Sequence, residues 1–199
     1  SRLPPRPANA AGGVVHFAFR LPPSAFRLPP SALNAPDLSA SDPSWTPLIP
    51  FWEMIGTRSF VSSDDGDRIR VRYYAGGGRT WARAWFGPGA EGPPGHVHGG
   101  ALAALLDEAM GMAALATGRV VVAGRIEVDF RAMVPLGTVV TAEVAVEPAV
   151  GKKTPVRAVL RGPDGGVVCE ATGLFVQIST ENLDEAVERV GREAKGGGA

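Results

Sequence analysis

The chain has 199 residues, of which 45% are hydrophobic and 20% charged, and its 20 Lys and Arg residues are balanced by 20 Asp and Glu residues. This size and composition predict one globular domain with a buried core and flanking tails. The balanced charge excludes a strong overall field for nucleic acid or an anionic membrane, so we expect neither as a partner. No apolar stretch is long enough to predict a membrane span.

Cys169 is the only cysteine, which excludes an internal disulfide and favours a reducing, cytoplasmic location. Residues 1–46 are predicted to form a Pro-rich, disordered tail. This tail contains the heptapeptide Ala-Phe-Arg-Leu-Pro-Pro-Ser in tandem, at 18–24 and 25–31. It carries arginines but no acid before Asp37, a bias shared with organelle transit segments, so a mitochondrial location stays open.

The predicted elements place an α+β domain at residues 47–180. Clustered apolar residues at 47–56 predict a short capping helix, and alternating side chains at 68–73 and 81–85 predict two strands joined by a turn at 75–79. A helical run from His98 to about Thr117 precedes four strand-like segments, at 119–131, 137–148, 154–162 and 166–178. Because strands and helices do not alternate, an antiparallel sheet wrapped around one long central helix is favoured. Residues 181–199 predict a surface helix and a flexible Gly-rich tail.

The long helix has one bulky face and one face of small residues. On a helical projection, the small face carries Gly100, Ala103, Asp107, Met110, Gly111 and Ala114. A buried carboxylate without partners costs several kcal/mol. We therefore expect Asp107 to have a function, with Glu108 as the second candidate.

The start of this helix is suited to polarising a carbonyl group. The first amides of a helix have no intrahelical partners and lie at the positive end of its dipole, and the glycines at 99 and 100 leave them open to a substrate oxygen. This pattern predicts an oxyanion hole. Asp107, two turns further along, is then placed to act as a base on water or as a nucleophile. For His98, a structural role in the turn stays open beside a direct one.

The motif His98-Gly99-Gly100, six residues and Asp107, followed by Val128-Asp-Phe-Arg131 and Val134-Pro-Leu-Gly137, resembles the hotdog-fold thioesterases of the phenylacetate-pathway and human thioesterase-superfamily type. The resemblance covers about residues 57–178. It implies a homodimer or homotetramer that hydrolyses acyl-CoA in a groove between subunits. It also implies Asp107 as base or nucleophile, and an amide of the His98, Gly99 and Gly100 turn on the thioester carbonyl.

The resemblance also indicates where the substrate binds. Basic residues of the chain at corresponding places are expected to hold the CoA phosphates, with a solvated turn as the alternative, and two helix residues are expected to contact the substrate: Arg125, Arg131, Lys152 and Lys153, and Met110 and Gly111. No cofactor is expected besides the CoA thioester. His96, His98 and His16 are too few and too scattered to predict a metal site.

The sequence departs from the family pattern at two places. Residues 91–94 read Glu-Gly-Pro-Pro where many relatives have Asn or Gln, and Ala123 stands where many have Ser or Thr. Two alternatives therefore stay open beside the thioesterase: a non-catalytic hotdog protein that binds acyl groups or scaffolds a partner, and a hydratase or dehydratase on the same fold.

Overall fold

A computed structural model describes residues 36–54, 56, 58–62 and 66–179. Its elements, in chain order, are β1 (Thr46–Leu48), α1 (Phe51–Met54), β2 (Ile69–Gly76), β3 (Arg79–Phe86), a 3-10 turn (Pro88–Ala90), α2 (Gly99–Leu115), β4 (Val121–Phe130), β5 (Val139–Val146), β6 (Lys153–Arg161) and β7 (Val167–Gln177). The predicted helix and the four strands after it are confirmed within two residues at nearly every boundary.

The strands form one antiparallel seven-stranded sheet in the order β1-β2-β3-β5-β6-β7-β4. The connection between β2 and β3 is a tight turn in which Gly77 and Gly78 both have positive φ, at 60° and 71°. A two-residue hairpin of this hand requires that conformation, which glycine adopts without strain. The α+β prediction of an antiparallel sheet around one helix is therefore confirmed.

Helix α2 packs across the inner face of the sheet and contacts β3 to β7. Leu105, Leu106 and Ala109 are fully buried against the sheet. The bulky face predicted from the sequence is thus the face that holds the helix in the core. The predicted small-residue face does not hold together in the same way, because Gly100 and Asp107 are exposed whereas Met110 and Ala114 are fully buried.

The described part of the predicted tail packs on the sheet. Trp45 stacks on Trp81 with ring centroids 4.4 Å apart, Arg83 donates a hydrogen bond to the carbonyl of Ser39 at 2.6 Å, and Tyr74 donates to the carbonyl of Leu38. Leu38 is buried. The domain therefore begins before residue 47, because apolar residues at 36–46 find partners on the outer face of β2 and β3.

The predictions for residues 1–35 and 181–199 concern residues outside the described part of the chain. They include the tandem heptapeptide, the transit segment and the C-terminal helix. Within the described part, no helix is long and apolar enough to cross a membrane.

Candidate active site

The turn before α2 is fixed from both sides. The amide of Val97 donates to the carbonyl of Val134 at 2.8 Å, and the amide of His98 donates to the carbonyl of Ala90 at 2.8 Å. A Cβ on Gly92 would lie 2.7 Å from the Cα of His98, so only glycine permits this close packing. These contacts hold the first amides of α2 in one position.

His98 is the N-cap of α2, and this use of its side chain changes the predicted oxyanion hole. Its Nδ1 accepts a hydrogen bond from the Gly100 amide at 2.9 Å. The Gly99 amide, at the first helical position, has no intrahelical partner, and it donates no hydrogen bond to another described residue. The two glycine amides are therefore not equivalent: His98 occupies that of Gly100, and that of Gly99 stays available.

The hydrogen bond from the Gly100 amide to His98 predicts an effect on stability that can be measured separately from activity. Replacing an N-cap residue with Ala costs about 0.5–2 kcal/mol, whereas Asn is among the best N-caps. We expect His98→Ala to lower the free energy of unfolding by about that amount and His98→Asn to keep most of it, as measured by urea denaturation. Equal losses in the two variants would mean that the cap is not what His98 contributes.

Asp107 lies two turns along α2 from Gly99 and is exposed in the single chain. The sequence predicted a carboxylate buried within the fold, and this is wrong for one protomer because Asp107 lies on the exposed side of α2. Partial burial by the surrounding protein still raises the pKa of the Asp107 carboxyl above its ordinary value. The result is an accessible acid on the exposed side of α2.

Glu108, the second candidate, has a different environment. Its carboxylate accepts hydrogen bonds from Tyr73 Oη at 2.7 Å and from Ser59 Oγ at 2.6 Å. Burial raises the pKa of the Glu108 carboxyl above its ordinary value, although the two hydrogen bonds act in the opposite direction. Both carboxylate oxygens are therefore engaged within the fold, which makes Glu108 less available than Asp107 for attack on a substrate.

Strands β4 and β7 border the helix on the other side. The ring of Phe130 lies 3.4 Å from the position of a Cβ on Gly99, and Phe130 is 54% exposed. Ala123 is exposed and pairs in register with Phe175, whose ring lies 3.6 Å from a Cβ position on Gly111. Ala123 thus pairs with a residue that packs near the C-terminal part of α2, and it offers no hydroxyl there.

The two helix residues expected to contact substrate differ in exposure. Met110 is fully buried, and its sulfur lies 3.2 Å from a Cβ position on Gly173. Its helical position turns it toward β7, so it packs in the core and cannot contact a ligand on the open side. Gly111 is partly exposed on the same side of α2 as Asp107.

The predicted phosphate-binding residues are exposed but not gathered into one cluster. Arg125 pairs with Glu127, and Arg131 lies 3.0 Å from Glu170 and 3.7 Å from Asp129. Lys152 and Lys153 occupy the hairpin between β5 and β6. In the described part of the chain, no group of three or more His, Cys, Asp or Glu residues lies close enough to hold a metal ion.

Sequence reasoning missed Ser59, Phe60 and Tyr73. Phe60 lines a cavity of about 240 Å³ at the start of α2, together with Ile69, Ala90, His98, Gly100 and Ala104. Of these three residues, only Tyr73 could have been found from the sequence, because the alternation of β2 turns its side chain inward.

Comparison with known proteins agrees with this geometry. Residues 94–169 match the family model described as "Thioesterase superfamily". Over 93 residues the chain is 36% identical to acyl-coenzyme A thioesterase THEM4 of Xenopus laevis, covering 46% of this chain and 42% of that protein. Over 100 residues it is 30% identical to acyl-coenzyme A thioesterase THEM5 of Mus musculus, covering 50% and 40%. The chain therefore spans less than half the length of these curated relatives.

Solved structures match the fold. A thioesterase superfamily protein superposes with a TM-score of 0.52 at 28% identity, over 54% of each chain. A hypothetical thioesterase from Streptococcus pneumoniae with coenzyme A gives a TM-score of 0.55 at 16% identity, over 64% of this chain and 97% of that one. Residues 94–169 therefore match the thioesterase superfamily, and the sheet and helix around them have the hotdog fold.

Proposed function

We propose that the protein hydrolyses an acyl-CoA thioester to a carboxylic acid and free CoA. The observation that carries this proposal is the pairing of an open helix-start amide at Gly99 with an exposed acid at Asp107, in a chain with a thioesterase-superfamily match. The similarity to proteins named acyl-coenzyme A thioesterases supports CoA as the thiol part of the substrate.

The Gly99 amide polarises the thioester carbonyl. This N–H lies at the positive end of the α2 dipole, so it stabilises the negative charge that develops on the carbonyl oxygen during attack. His98 contributes indirectly, because its cap fixes the first turn of the helix. Gly100 contributes because it has no side chain that would block the substrate on the exposed side of the helix.

Asp107 supplies the base. Its carboxylate takes a proton from water while the water oxygen attacks the carbonyl carbon, and the proton then passes to the leaving CoA sulfur as the carbon–sulfur bond breaks. Direct attack by the carboxylate, followed by hydrolysis of the resulting anhydride, gives the same products. Neither route uses a metal or a second cofactor.

We further propose that the site is completed by a second copy of the chain. Eight residues of helix separate the Cα atoms of Gly99 and Asp107 by about 12 Å, which is a long span for one thioester. β4 ends the sheet, and Val122 and Phe130 on it are exposed, at 48% and 54%. An unpaired apolar edge is stabilised by pairing with another chain. Light scattering coupled to size exclusion measures whether the protein is a dimer or a tetramer.

The CoA phosphates are assigned to the exposed basic residues. Arg125 and Arg131 lie along the proposed β4 interface, and Lys152 and Lys153 project from the hairpin before β6. Their exposure leaves all four able to exchange a carboxylate or water partner for a phosphate.

The function is tested by measuring CoA release with a thiol reagent, using acetyl-, octanoyl-, palmitoyl- and phenylacetyl-CoA. We expect at least one of these to be hydrolysed well above the rate without protein. Tight binding of all four with no CoA release would instead favour the non-catalytic acyl-binding protein, which the missing hydroxyl at Ala123 supports. If the protein neither binds nor hydrolyses any of the four acyl-CoAs, the proposal is contradicted.

A further inference from the structure

The segment at residues 58–62 is joined to α2 by a hydrogen bond that the proposed chemistry does not use. Ser59 Oγ donates to Glu108 Oε2 at 2.6 Å and accepts from the amides of Val61 at 2.9 Å and Ser62 at 2.7 Å. One hydroxyl offers one donor and two acceptor sites. The Ser59 hydroxyl is therefore saturated, and it links the segment to the helix residue beside Asp107.

Tyr73 holds the other oxygen of the same carboxylate. Its hydroxyl donates to Glu108 Oε1 at 2.7 Å, and its ring is buried with Trp52 packed edge-on at 5.8 Å. Burial and the neighbouring Glu108 raise the pKa of the Tyr73 hydroxyl well above its ordinary value, so the hydroxyl remains a donor. Glu108 is thereby held by one donor from β2 and one from the segment.

These contacts determine the direction in which the Phe60 side chain points. Ser59 turns inward to Glu108, and Val61 is 6% exposed in the core, so Phe60 between them faces outward and is 84% exposed. An aromatic side chain this exposed forms the rim of the 240 Å³ cavity, whose floor includes Ile69 and Ala90 and whose inner wall includes Gly100 and Ala104. The start of α2, where the Gly99 amide lies, borders this cavity.

The most buried residues that line the cavity are apolar. Ile69 and Ala90 are 2% and 4% exposed, and the charged lining groups are Arg68 and Glu91, which are exposed. An apolar floor suits an acyl group better than the amide-rich arm of CoA. Its volume of about 240 Å³ lies below the usual range of ligand pockets, so removing the Phe60 ring should favour a longer acyl chain.

We propose that Phe60 determines which acyl groups the site accepts, and that Glu108, itself fixed by Tyr73, is a positioning residue that holds the Phe60 segment in place through Ser59. This inference rests on the proposed thioesterase function and goes beyond it. It assigns adjacent acids different roles: Asp107 acts on the substrate, and Glu108 fixes the wall against which the acyl group lies.

The test compares octanoyl-CoA with palmitoyl-CoA. Phe60→Ala is expected to raise the palmitoyl-to-octanoyl ratio of kcat/KM by about tenfold, since filling or emptying an apolar pocket by a methylene or more changes discrimination by that order. Ser59→Ala and Glu108→Gln shift the ratio in the same direction, mainly through the KM for octanoyl-CoA. Ser59→Thr, which keeps the hydroxyl, restores it. Arg58→Ala is the matched control in the same segment and leaves the ratio unchanged.

A second measurement separates this inference from the proposed function. Binding of the same two acyl-CoAs is measured by calorimetry on the Asp107→Asn background, with and without Phe60→Ala. A shift in binding preference without any hydrolysis by the wild type would support the Phe60 role while overturning the thioesterase. An unchanged preference in a folded Phe60→Ala protein would overturn the Phe60 role, whether or not the protein hydrolyses thioesters.

Discussion

Asp107→Asn is expected to lower kcat for acyl-CoA hydrolysis by about 100-fold or more, the usual contribution of a general base. The amide keeps the size of the side chain but cannot take a proton from water. Because Asp107 is exposed in the protomer, the substitution removes no buried contact, and the free energy of unfolding should change little. CoA release and urea denaturation measure the two effects.

The matched control for this substitution is Glu53→Gln on α1, which removes an exposed acid from a different helix. Its kcat should equal that of the wild type. If Asp107→Asn and Glu53→Gln hydrolyse the substrate at the same rate, Asp107 has no part in the chemistry.

The pH dependence of kcat in the wild type should also show that Asp107 acts as a base. Asp107 works only when deprotonated, so kcat falls as the pH falls through the pKa of its carboxyl. Burial raises that pKa above 3.8, so the acid limb of the profile should lie above the pH expected for a free aspartate. In Asp107→Asn, the residual activity should lack this limb. A limb that persists unchanged would assign the titration to another group.

Gly99→Pro is expected to lower kcat by about 100-fold to 1000-fold, the cost of removing one oxyanion-hole donor. Proline lacks the backbone N–H, and it is well tolerated at the first position of a helix. The preceding residue must be extended, and His98 already is, with φ −65° and ψ 135°. This substitution therefore deletes the proposed donor with little cost to the helix.

Gly99→Ala is the comparison that isolates the N–H. Its Cβ would lie 3.4 Å from the ring of Phe130, an ordinary contact, and the amide is retained. We expect Gly99→Ala to keep much more activity than Gly99→Pro, with similar thermal melting curves for both. Equal losses in the two variants would mean that side-chain bulk matters here and the amide does not.

The architecture was predictable because it follows from periodicity. Alternation along β2 and β3 and the long helical run of α2 are set by which residues must be buried, and both signals lie within short stretches of sequence. The packing of residues 36–46 on the sheet was not predictable in this way. Trp45 and Leu38 find partners in Trp81 and Tyr74, which lie about 36 positions away along the chain.

The site was predictable in its residues but not in their partners. The spacing of Gly99 and Asp107 on one helix can be read from the sequence. That His98 occupies the Gly100 amide, and that Met110 turns into the core, depends on the exact start and rotation of α2. The hydrogen bond between Ser59 and Glu108 joins residues 49 positions apart, and no local pattern encodes such a contact.

The most direct measurement is a crystal structure of the Asp107→Asn protein with its best acyl-CoA bound. We predict a thioester carbonyl oxygen about 2.7–3.1 Å from the Gly99 amide nitrogen, with the side chain at 107 from either copy of a dimer facing the carbonyl carbon. A thioester bound away from the start of α2, with its carbonyl oxygen held by other groups, would contradict it.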